Sequence, residues 1–267
     1  MDHHEEHPMK TIRLYLSNSL PHRDGIIEEM DGPSFSTALE SLVAQYGAMG
    51  ERYLKAADRF VDFWRDEVAG GCIDPKARVL ILHPEEMERR FSAVLDRCET
   101  RPERTVLMVW TIGEALERRS AAIMSEKGRS MEGLLLDVAG SIMLYKMHAA
   151  LLGWVETTLA PLLGKPVSGE LYPGFGGMLQ DVMEDIEKNA RTDETIGVRA
   201  RGAGMLHPRK TQCSFVVLGQ STTDRWDVVL PCSPCTGAKC LYHQLGGCHL
   251  TVMGGGRFDG AGKRETP

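Results

Sequence analysis

Four cysteines crowd into seventeen residues near the C-terminus, spaced Cys232-x2-Cys235-x4-Cys240-x7-Cys248, with His243 and His249 close by. Cys-x-x-Cys places two sulfurs on one turn. Gly237, Gly246 and Gly247 let the chain fold back on itself, and Pro231 and Pro234 stiffen the approach. Four thiolates converging on one point suit a 4Fe-4S cluster or a closed tetrahedral zinc site; free or redox-active thiols are the third reading. The paired CxxC…CxxC of zinc ribbons is absent, and the uneven spacing leans toward iron–sulfur. Cys72, Cys98 and Cys213 have no such spacing. Cys98 falls on an apolar helical face and Cys213 in a strand, as small buried hydrophobes do.

A second candidate is the loop Tyr172-Pro173-Gly174-Phe175-Gly176, entered from Glu170. Two glycines without Cβ let backbone N–H and C=O groups approach a ligand, Pro173 fixes φ, and Phe175 offers a flat apolar face. The plain alternative is a tight connection between two elements. Arg199, Arg201, Arg209 and Lys210 form a possible basic patch facing an acidic partner or a phosphate, or else a solvated strand face. His3, His4 and His7 read as a solvated tail. There is no Gly-x-Ser-x-Gly, P-loop, His-Glu-x-x-His or Gly-x-Gly-x-x-Gly, so hydrolase, NTPase and dehydrogenase readings have no support.

The elements that must position these residues divide unevenly. Residues 1–33 read as a tail and lead-in with one short strand, Ile12–Leu16. Apolar residues then recur at helical spacing, from Phe35 to Tyr46 and from Tyr53 to Val68. Arg78–Leu82 is β-rich, and Met87, Phe91, Val94, Leu95 and Cys98 mark a helix after His83-Pro84. Thr105–Trp110 is a continuous apolar run, expected as a buried strand, and Gly113 opens a helix to about Lys127. Ser130–Leu159 is the longest periodic segment, ended by Pro161, Gly164 and Pro166; Gly140 and Gly153 inside it predict close backbone approach. Another helix is expected from Met178 to Ala190, and strands at Ile196–Arg201, Gln212–Leu218 and Trp226–Leu230. Helices dominate early and strands late, which predicts α+β rather than regular βαβ alternation.

Composition sets the class. Of 267 residues, 42% are hydrophobic and 25% charged, the balance of a globular protein. A net charge of -6 lacks the basic footprint of a nucleic-acid binder. No run of 18 uncharged apolar residues is present, and the polar, acidic start differs from a signal peptide, so no membrane partner and a cytoplasmic location are expected.

Three segments together resemble the activation domain of cobalamin-dependent methionine synthase, in particular its short stand-alone bacterial relatives. They are Val106–Gly113 followed by Glu117-Arg118-Arg119; Leu136-Asp-Val-Ala-Gly-Ser141; and Tyr172–Gly176, a helix, Ile196-Gly-Val198 and Gly204–Lys210. The match covers roughly residues 80–220. It implies a twisted, mainly antiparallel sheet packed with long helices. The implied organisation is an activation-domain-like unit over 34–230, a Cys-rich metal or iron–sulfur segment over 231–250, and a Gly-rich tail over 251–267.

The resemblance also implies an accessory protein of a corrinoid-dependent methyltransferase system. It would dock on a cobalamin-bearing protein, receive an electron from a donor, and help restore the active cobalt state with S-adenosylmethionine. Glu170, Tyr172, Pro173, Gly174, Phe175 and Gly176 would face that cofactor, and Cys232, Cys235, Cys240 and Cys248 would hold the cluster, since stand-alone relatives often end in a similar cysteine-rich segment. Two positions depart from the pattern: Glu170 stands where the family carries Arg, and Gly202 where it carries Glu. A carboxylate at 170 repels a ligand carboxylate but attracts an amine. The rival class is a non-catalytic binding or scaffold protein with a structural zinc.

Overall fold

The apolar run around Val106 becomes the spine of the molecule. In the computed structural model, β4 (Arg104–Thr111) is buried at every position from Thr105 onward. Seven consecutive buried residues need cover on both faces, and the fold supplies it. The structure describes residues 11–16, 25–28, 60, 63–64, 66–67, 70–95, 98, 101–171, 173, 180–202 and 204–219.

The sheet has six strands: β1 (Thr11–Leu16), β2 (Gly25–Glu28), β3 (Lys76–Leu82), β4, β5 (Val167–Leu171) and β8 (Thr211–Leu218), ordered β2-β1-β3-β4-β8-β5. The β1–β3 pair is parallel and the other four are antiparallel, so the sheet is mixed within an α+β fold. β1 and β2 lie within the 1–33 lead-in, yet Ile12 and Leu14 join the main core. A separate hairpin pairs β6 (Arg199–Arg201) with β7 (Met205–His207).

Alternation along β4 divides its side chains. Val106, Met108 and Trp110 face one core with Phe60, Trp64, Leu116, Ile142 and Met147. Leu107 and Val109 face the other, with Met87, Phe91, Val182, Ile186 and Phe215. The first core is covered by α3 (Ala115–Ser125) and α4 (Ser130–Trp154). The second is covered by α1 (Pro84–Arg90), α2 (Ser92–Leu95), α6 (Gln180–Ala190) and α7 (Thr192–Ile196).

The long periodic segment runs past its expected end. After α4 come one π-helical stretch (Val155–Leu159) and α5 (Ala160–Leu163). Pro161 lies in that last turn, where it removes one N–H from the helical ladder just after the π-helical stretch, and Gly164 ends the turn in the left-handed conformation at φ 63°. The continuous helix Ser130–Leu163 is long and apolar enough to cross a membrane by length and composition, a property the 18-residue criterion passed over. Two thirds of its apolar window is buried inside the fold, so it serves as a core helix.

Close approach occurs where the helical glycines are packed. A Cβ on Gly133 would lie 2.5 Å from the Met124 side chain and 2.8 Å from the Met124 N and Ser120 O atoms; on Gly140 it would meet Leu116 at 2.8 Å. Gly153 has open space instead, contrary to the expectation. Two further departures are local. Ile196 is the buried end of α7, not the start of a strand. Val167–Leu171 forms a strand just before the Gly/Pro-rich stretch, where no strand was expected, because β8 provides a ladder for it.

Candidate functional site

Thr111 and Thr211 face each other across the last pair of the β4–β8 ladder. The Thr211 hydroxyl donates to Thr111 Oγ1 at 2.9 Å, and the Thr111 hydroxyl donates to the Lys210 carbonyl at 3.1 Å. Thr111 Oγ1 also accepts from Gly113 N–H, so the turn into α3 is tied to the strand end. Gly113 adopts φ +82°, and a Cβ there would sit 3.3 Å from the Asp74 side chain. Both observations call for glycine.

Lys210 is the hub. Its backbone N–H donates to Glu117 Oε1 at 2.7 Å. Its ammonium donates to Asp137 Oδ2 at 2.9 Å and to Ser141 Oγ at 2.7 Å. Lys210 is only 7% exposed. An ammonium this deep requires a countercharge, and Asp137, one turn before Ser141 on α4, provides it. The second oxygen of Glu117 accepts from Arg209 Nε at 3.2 Å. β4, β8, α3 and α4 are therefore joined by one charge-assisted network. With Asp137 and Ser141 both engaged, the Lys210 side chain ties α4 to the start of β8.

A second buried node lies further along α4. His148 stacks on Trp110 with centroids 5.2 Å apart and planes 19° from parallel. Its Nε2 is 2.7 Å from Glu170 Oε1. Trp110 Nε1 donates to the Leu144 carbonyl at 3.0 Å. His148 and Glu170 are 2% and 6% exposed. Asp137, Ser141 and His148 are spaced four and seven residues apart, which brings them to one face of the helix.

The three sequence segments singled out above therefore meet at this end of the sheet: Thr111, Gly113 and Glu117 from the first, Asp137 and Ser141 from the second, Arg209 and Lys210 from the third. Sequence reasoning named these segments but not Glu117, Asp137, Ser141 or His148 as a site. For Asp137, Ser141 and His148 the available signal was a polar residue within an otherwise apolar helix; Glu117, on a polar helix, gave none.

The expected site residues are placed as follows. Glu170 points into the core toward His148, and Pro173 is buried. Tyr172, Gly174, Phe175 and Gly176 lie outside the described residues, as do Cys232, Cys235, Cys240 and Cys248. Gly202 is exposed with open space around it. The expected basic patch splits. Lys210 turns inward, Arg199 pairs with Asp193, Arg209 with Glu117, and Arg201 is exposed. Among the described residues, no three or more His, Cys, Asp or Glu side chains are grouped to hold a metal ion.

The three described thiols are not poised for chemistry. Burial pushes Cys213 up to about 12, with its sulfur 3.8 Å from Met183 Sδ. Burial, aided by the Glu67 carboxylate, pushes Cys72 up to about 11, and burial alone does the same to Cys98. Thiols held this far above the ordinary range stay protonated and unreactive near neutrality.

A scan against protein-family models finds no match, and a search of curated proteins finds none either.

Proposed function

We propose that this chain is an accessory protein of corrinoid-dependent methyl transfer, which docks on a cobalamin-bearing protein and helps its reductive reactivation. The observation that carries the proposal is the convergence of the three family-like segments on Lys210. They are far apart in sequence and meet in one hydrogen-bonded network at the paired ends of β4 and β8. In this reading the network fixes the start of β8 and the start of α3. The Tyr172–Gly176 loop, two residues beyond Glu170, supplies the ligand surface for S-adenosylmethionine. Cys232, Cys235, Cys240 and Cys248 hold the 4Fe-4S cluster that relays an electron, a role clusters perform at low potential.

One observation favours a second reading. The Glu170 carboxylate is engaged by His148 inside the fold, so the position that the family gives to Arg offers no free donor to a methionine carboxylate. A binding or scaffold protein of the same fold, with structural zinc on the four cysteines, accommodates that arrangement.

The test is elemental analysis and a visible spectrum of anaerobically purified protein, followed by titration with S-adenosylmethionine and with a cobalamin-loaded domain. Iron with a reducible band near ~400 nm, together with corrinoid-protein binding, supports the first reading. A colourless protein with zinc and no heat from S-adenosylmethionine supports the second. Protein with neither metal and no affinity for the cobalamin domain refutes both.

A further inference from the structure

We draw no further inference here: the strongest candidate, the open groove between α5 and the start of β5, lined by Ala160, Pro161, Lys165 and Val167, carries nothing, because nothing in the structure shows what covers it.

Discussion

Replacing Lys210 with methionine removes one ammonium while preserving most of the side-chain volume. The Asp137 carboxylate then loses its ion pair, and Ser141 loses a donor. Breaking a fully buried pair costs about 3–5 kcal/mol, whereas an exposed pair contributes at most about 1 kcal/mol. The Asp137 side chain is 20% exposed, so water partly rescues its charge. Ser141 still donates to the Asp137 carbonyl at 3.3 Å. The expected loss is therefore about 2 kcal/mol, between the two limits. For a domain of this size that lowers Tm by about 4–8 °C, read by calorimetry. A double variant, Asp137→Leu with Lys210→Met, removes both charges and should lose less than Lys210→Met alone. A single-variant shift under about 1 °C, or a double variant whose losses simply add, would refute the view of Lys210 as a paired hub.

Glycine substitutions on one helix should have opposite signs. Gly133→Ala drives a methyl against the Met124 and Ser120 backbone and should cost about 1–3 kcal/mol, whereas Gly153→Ala meets nothing and should gain about 0.5–1 kcal/mol; chemical denaturation resolves both. Cys213 should resist iodoacetamide at pH 8 until the chain unfolds, because burial keeps its thiol protonated; labelling at the rate of a free thiol would contradict this. The sign of the linked stability follows from that burial. Above pH 9 the unfolded chain ionises this thiol first and binds fewer protons, so stability should fall as pH rises from 9 toward 12, measured as a declining denaturant midpoint. Glu170→Ala leaves the buried His148 Nε2 without its carboxylate and should destabilise by about 1–3 kcal/mol, with a matching fall in Tm.

Long periodic or uniformly apolar segments were legible in the sequence because local pattern decides them. Ser130–Leu159 and the run Thr105–Trp110 carry their own signal, and the structure places helix and buried strand there. β5 was not legible, since its only ladder comes from β8, some forty residues later, and Gly169 weakens its local preference. Ile196 looked like a strand residue, but Gly197 closes α7 in the left-handed conformation just after it. The polar hub was hidden for a similar reason. Asp137 and Lys210 are each unremarkable locally, and only the β4–β8 register brings them together. The charge of Lys210 was read as surface because a sequence does not reveal which lysine has a carboxylate waiting in the interior.

The placement of β8 between β4 and β5 also bears on how the molecule is made. β4 is complete by residue 111 and β5 by residue 171, but the strand that joins them begins at Thr211. During synthesis both remain with unfilled backbone groups on that side until Thr211–Leu218 has emerged. Strands held open in this way, the apolar β4 above all, invite pairing with neighbouring chains. Nascent chains halted before Thr211 should therefore be captured by chaperones or aggregate, whereas chains released after Leu218 should be able to close the sheet.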